Sequence, residues 1–355
     1  MTDIVQNAEN EVLKKLPKVD LHLHLDGAAR PETLMDLMRA SGASLPTEDP
    51  REFQKYVQVP RSCRSLADFL KAFEFFYPFL KSPEAVERLA YELCEDCSRL
   101  NVHCFEARFA PALQAKARLS QEDILRAALR GVERGARDFS VKAGLILCCY
   151  RSIPQTENDE TVELAEKYLG RGVVGIDLAG DESRYPVSLY AACFKRAVER
   201  HIPITCHAGE ADGPKSIDNA LHLGARRIGH GVRLQEDSGV FERVKRERVP
   251  LEMCITSNVQ TQAVKGFAVH PAKRYLEAGL CVTLNTDDPG VSGIDLVHEY
   301  AVAMGKLNFT ERDLVRVILN GVDSLFLPEP EKKELRRRYE KELASLLKLP
   351  TGERL

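Results

Sequence analysis

Histidine and carboxylate side chains spaced to share one cation are the first chemical signal in this chain. It has nine histidines in 355 residues, and two of them, His22 and His24, take alternate positions of one apolar run, KVDLHLHLDG, residues 18–27. Val19, Leu21, Leu23 and Leu25 alternate with Asp20, His22, His24 and Asp26. That is the period-two pattern of a strand, so both imidazoles project to one side. Two neutral imidazoles on a strand face can bind one metal ion without relying on flexible loops. A lone His-x-His is more often a pair of ordinary side chains. The elements that would bring other donors to the same place decide between the two.

Seven further short β-rich runs follow: VHCFEARFA near 102–110, VKAGLILCCYR near 141–151, GVVGIDLAG near 172–180, IPITCHAGE near 202–210, RRIGHGV near 226–232, VPLEMCITSN near 249–258 and LCVTLNTDDP near 280–289. Between them lie runs with apolar residues three and four apart, such as SQEDILRAALRGVERGARDF and DETVELAEKYLGR, the spacing of amphipathic helices. Eight alternations of strand and helix predict an α/β chain folded as a (β/α)8 TIM-type barrel, a single domain over 1–355. No G-x-G-x-x-G or P-loop pattern follows a strand, so a nucleotide cofactor has no support.

The connection from residue 27 to 101 is too long for one crossover helix, and part of it is expected as a helical lid over the barrel mouth; buttressing of the barrel's side is the alternative. Residues 290–355 read as C-terminal helices, the last with Leu335, Tyr339, Leu343, Leu346 and Leu347 on one face. A net charge of −3 argues against nucleic acid or an anionic membrane as partner and favours a small-molecule substrate. Neither a secretory leader nor a long apolar span is visible, so a soluble cytoplasmic protein is expected. The ten cysteines, several in apolar runs, read as buried reduced thiols, Cys94 and Cys97 included. Oligomeric state is not written in the sequence.

Active residues of such barrels stand at the carboxyl ends of the strands. Those ends offer His22, His24 and Asp26; Arg108; Arg151; Gly180, Asp181 and Glu182; His207 and Glu210; His230; Ser257 and Asn258; Asp287 and Asp288. His22, His24, His207 and Asp287 would converge as three nitrogens and one oxygen, a set suited to one Zn2+ ion with a position open for water. Zinc-activated water needs an orienting base, and His230, flanked by glycines in IGHGV, suits that role. Asp288, facing away from Asp287 by alternation, is assigned a hydrogen bond to substrate or water. Glu210, near a strand end where an apolar site could raise its pKa, is the candidate general acid.

LHLHLDG, DLAGDE, CHAGE, IGHG and LNTDDPG, in that order and spacing over nearly the whole chain, resemble the adenosine deaminases among the metal-dependent aminohydrolases. The resemblance implies hydrolytic replacement of the 6-amino group of adenosine, giving inosine and ammonia. It implies His22, His24, His207 and Asp287 as zinc ligands, Glu210 as the acid at purine N1 and His230 as the base that positions hydroxide. It implies Asp288 at N7, Gly180 at N3 and Asp26 at the ribose 5′-hydroxyl, with His24 also touching substrate. Leu66, Phe69, Leu70 and Phe73 in SLADFLKAF resemble the family's apolar lid, although their three-and-four spacing also suits a core-facing stripe.

Three departures bear on this. Ala110 stands where some members carry a small polar residue; the fourth strand ends without the lysine of binuclear relatives, which favours a single metal; and the cytidine-type signature H-x-E with P-C-x-x-C is missing. Related enzymes acting on adenine, N6-methyl-AMP or aminodeoxyfutalosine remain alternatives, as does an inactive nucleoside-binding protein. Asp26 discriminates, because a carboxylate accepts a hydroxyl hydrogen bond and repels a 5′-phosphate.

Overall fold

The first strand, β1 (Lys18–His24), is buried along both faces in the computed structural model, which describes residues 11–60, 62–115 and 118–347. Val19 faces an outer helix, Glu311–Ser324, where a side chain on Gly321 would come within 3.2 Å of the Val19 Cβ. Asp20 and His22 point inward, Asp20 to Thr286 and His22 to Glu252. A strand covered on one side by helices and on the other by its barrel partners has no solvated face.

Seven more parallel strands follow: β2 Val102–Phe109, β3 Lys142–Tyr150, β4 Val173–Ala179, β5 Thr205–Ala208, β6 Arg227–His230, β7 Leu251–Met253 and β8 Val282–Leu284. Their ladders run β1-β2-β3-β4 and β5-β6-β7-β8. The seams are bridged by Ile176 with Ile204 and by Leu23 with Asp287. At the second seam Asp287 N–H donates to His22 O and His24 N–H donates to Asp287 O, each at 2.7 Å. The expected (β/α)8 arrangement is therefore present, with later strands shorter than the sequence runs. VPLEMCITSN leaves the strand after Met253 and turns into the helix Ile255–Gln260, which places Ser257 and Asn258 on a helix.

Between β1 and β2 lie the helices Pro31–Ala40, Pro50–Val57, Leu66–Phe76 and Pro83–Arg99. Pro83–Arg99 packs along Gln121–Phe139 and serves as the crossover, so only the preceding segments reach the mouth. Ser65 caps the helix Leu66–Phe76 by accepting from Asp68 N–H. Among the described residues only helices follow β8, ending with Glu329–Leu347. Tyr339 and Leu343 are buried there, and the Tyr339 hydroxyl donates to Lys18 O beneath β1. Leu346, expected on that face, is exposed instead. The ends of the single-domain assignment, residues 1–10 and 348–355, lie outside the described residues. All ten cysteines are free, nine buried and Cys281 half-buried. No helix among the described residues is long and apolar enough to cross a membrane.

Candidate active site

At the carboxyl-terminal mouth the ends of β1, β5 and β8 bring His22, His24, His207 and Asp287 together. Nε2 of His22 lies 3.0 Å from Nε2 of His207, which is 3.3 Å from Nε2 of His24. Asp287 Oδ1 stands 3.3 Å from Nε2 of both His22 and His24. The far nitrogens are already committed: His22 Nδ1 donates to Glu252 Oε2 at 2.9 Å, and His207 Nδ1 pairs at 2.8 Å, along a bent line, with Asp177 Oδ2. With Nδ1 protonated in each neutral ring, the two facing Nε2 atoms are both acceptors. Two lone pairs meeting at contact distance need a cation between them. Donors each about 2.0–2.2 Å from one ion are about 3–3.5 Å apart, so the residues fit a divalent metal of the borderline class. His230 and Asp288 also come within 4.8 Å of parts of this cluster.

Carboxylates deep in the barrel set the histidine orientations. Glu252 on β7 also accepts from Arg108 at 2.8 Å and pairs with Arg227 Nε at 2.7 Å. Burial alone would raise its pKa, but the Arg108 and Arg227 guanidinium groups hold the carboxyl well below the usual range. Asp177 on β4 is likewise held low against its burial by His207 and Arg108, whose Nη1 donates to it at 2.9 Å. These acids fix the rings of His22 and His207 from behind. Gly229 on β6 leaves room for them, since a Cβ there would lie 2.8 Å from His22 Cε1.

Glu210 reaches the same cavity from the loop after β5, buried at 3% exposure. That loop is wrapped around Glu182: its carboxylate accepts from the N–H groups of Gly209, Glu210, Ala211 and Asp212 at 2.8–3.0 Å. Burial pushes the Glu210 carboxyl up, partly opposed by His230 and reinforced by Asp287. Thr261 Oγ1 donates to Glu210 Oε1 at 3.1 Å, and Oε2 lies 3.6 Å from His230 Nε2. Asp288 faces the cavity alongside Asp287, contrary to the alternation argument. Asp287 has φ +66°, so the backbone is no longer a strand there. Burial, and then the neighbouring charges of Asp287 and Asp26, push Asp288 well above the ordinary range. Its Oδ1 has no partner, and Gly27 makes room for it, because a Cβ at Gly27 would fall 1.8 Å from that atom.

These groups surround a cavity of about 270 Å3, the size of one small organic molecule. Asp26 and Gly180 lie on its wall, and Leu66, Phe69, Leu70 and Phe73 line it from the helix Leu66–Phe76. Tyr77, just after that helix, donates its hydroxyl to Asp26 Oδ2 at 2.9 Å. Every predicted site residue except His22, which stands behind His207 and His24, lines the cavity. Sequence reasoning missed Asp177, Glu252, Thr261 and Tyr77. The first two carried a readable signal, an acid within an otherwise apolar strand.

A parallel barrel with a His/Asp metal-binding cluster at its mouth, next to a buried acid and under an apolar roof, defines a metal-dependent hydrolase. The sequence profile of adenosine deaminase matches residues 17–342. The chain belongs to the adenosine deaminase family, and it is a hydrolytic deaminase. It is 40% identical over 329 residues to an adenosine deaminase of Klebsiella pneumoniae, covering 92% of this chain and 98% of that one. An amidohydrolase of Burkholderia ambifaria with bound Zn superposes with a TM-score of 0.85 at 25% identity, over 96% of this chain and 93% of that chain. The N6-mAMP deaminase of Arabidopsis superposes with a TM-score of 0.82 at 28% identity, over 93% and 99%.

Proposed function

We propose that this chain hydrolyses adenosine and 2′-deoxyadenosine to inosine and 2′-deoxyinosine with release of ammonia, using one zinc ion per chain held by His22, His24, His207 and Asp287. The observation that carries the reading is the juxtaposition of that cluster with the buried Glu210 carboxyl in one cavity. A zinc ion bound there supplies the Lewis acidity that lets water ionise near neutral pH.

The protein's own groups do the rest. Attack at C6 pushes electron density onto purine N1, and Glu210, whose protonated form burial favours, delivers its proton to that atom. His230 aligns the attacking water. Purine N7 is an acceptor only, so the protonated Asp288 carboxyl can donate to it. The Gly180 backbone stands by N3, with His24 beside the reacting carbon. Asp26, oriented by Tyr77, receives the ribose hydroxyl and disfavours a 5′-phosphate. Leu66, Phe69, Leu70 and Phe73 exclude bulk water from above. The reading further takes residues 1–355 as one domain acting in cytoplasmic purine metabolism, with a nucleoside, and neither nucleic acid nor membrane, as its partner.

Ultraviolet assays on adenosine, 2′-deoxyadenosine, adenine, AMP, N6-methyl-AMP and aminodeoxyfutalosine test the assignment. A preference for any but the first two overturns it. Metal analysis should find about one zinc per chain; a metal-free protein that binds nucleoside unaltered would instead be a binding protein. Glu210→Gln should keep zinc and fold yet lose about 10^3-fold or more in kcat.

A further inference from the structure

Behind the cavity wall, two buried side chains outside the cavity lining form a line ending on His230. Ala272 N–H lies 3.3 Å from His270 Nδ1, His270 Nε2 lies 3.2 Å from Asn258 Oδ1, and Asn258 Nδ2 lies 2.9 Å from His230 Nδ1. Asn258 is 0% exposed and His270 4%.

The polarity of this line follows from its first member. A peptide N–H only donates, so His270 Nδ1 must accept. Burial, the largest cause, together with the nearby Arg274 guanidinium, pushes the His270 imidazole down to about 3. The ring is therefore neutral and its one proton sits on Nε2. That N–H donates to Asn258 Oδ1, which leaves the amide nitrogen to donate to His230 Nδ1. Turning the amide over would set its NH2 against His270 Nε2–H, two donors face to face. His230 thus keeps a lone pair on Nδ1, and in the neutral ring the proton lies on Nε2, the nitrogen on the Glu210 side.

We infer that Asn258 and His270 are positioning residues that hold His230 in its Nε2–H tautomer, so that it presents a donor to the attacking oxygen. This rests on the reading of His230 as the group that aligns water. It narrows the expected base to a hydrogen-bond donor in the resting site. The backbone at His230, with φ +63°, lies in the left-handed region that residues with a side chain rarely adopt, and the ring's two nitrogens face Asn258 and Glu210.

The test is long-range 15N NMR on zinc-loaded protein labelled at histidine, with the His230 signals assigned by their loss in His230→Gln. Nε2 protonated and Nδ1 bare is expected; the reverse in the unaltered protein overturns the inference. Asn258→Asp sets an acceptor against Nδ1 and should move the proton to Nδ1. It should lower kcat about 10^2-fold with KM for adenosine within about threefold and zinc retained. His270→Gln, which can still donate to Asn258 Oδ1, should keep the tautomer and most of kcat. An Asn258→Asp protein with unchanged tautomer and kcat also overturns the inference. The tautomer is read whether or not adenosine is turned over, so an inactive protein with Nε2–H intact removes the substrate assignment and supports the relay.

Discussion

Glu252→Gln is the substitution that best tests how the barrel interior supports the metal cluster. The carboxylate accepts from His22 Nδ1, Arg108 and Thr205 and pairs with Arg227. Glutamine keeps the volume and one acceptor oxygen but loses the charge and places an NH2 where one donor now points. Each guanidinium retains one acid, Asp177 for Arg108 and Glu106 for Arg227. The stability cost should therefore lie at the low end for breaking a buried ion pair, about 3 kcal/mol. Loss of the anchor on His22 Nδ1 frees that ring to rotate and to protonate Nε2, which should weaken zinc affinity about 10–100-fold. Competition with a chromophoric chelator reads the affinity, and urea unfolding of the apoprotein reads the stability. Asp177→Asn, which loosens His207 while sparing Arg227, is the companion if the first variant folds poorly. Zinc affinity within about threefold of the original in both variants would refute the argument that these acids orient the donors.

Other perturbations probe separate parts of the site. Tyr77→Phe deletes the hydroxyl bonded to Asp26 and should raise KM for adenosine about tenfold with kcat nearly unchanged, measured by steady-state kinetics; an unchanged KM would take Tyr77 out of substrate binding. Gly229→Ala drives a methyl against the His22 ring and should deplete bound zinc while the far-ultraviolet circular dichroism stays, as metal analysis would show. Glu299, whose carboxyl burial raises from 4.5 to about 7 against hydrogen bonds from Thr256, holds in the folded state a proton the unfolded chain releases. Its contribution is therefore complete below about pH 4.5 and is lost as pH rises through 7, on the order of 3 kcal/mol. Glu299→Gln should flatten that slope in urea midpoints compared at pH 5 and pH 8.

The catalytic end of the barrel was legible because strand ends are fixed by the pattern that makes strands. His22, His207 and Asp287 lie far apart in sequence, yet the rule that βα loops share one mouth brings them together. What was illegible depends on where strands stop. β7 ends at Met253, so Asn258 stands a helical turn beyond the strand and points back at His230. Asp288 shares a face with Asp287 because a positive φ intervenes, which no alternation rule anticipates. Asp177 and Glu252 each read as a lone acid among apolar neighbours, and only the closed ring shows which histidine each one holds. Leu346 kept the helical spacing of its neighbours but lies past the edge of the surface that Tyr339 and Leu343 cover.

The seam between β1 and β8 carries one more implication. Asp287 donates its main-chain N–H to His22 and accepts from that of His24, so main-chain hydrogen bonds join the very residues proposed to grip the cation, and the ion would act as the clasp of a bracelet whose two ends are the first and last strands of the ring. During synthesis the first strand must then wait for the last before the clasp can fasten. Stripping the ion should loosen that junction ahead of the rest of the ring, with faster amide exchange at His24 and Asp287 as its first sign.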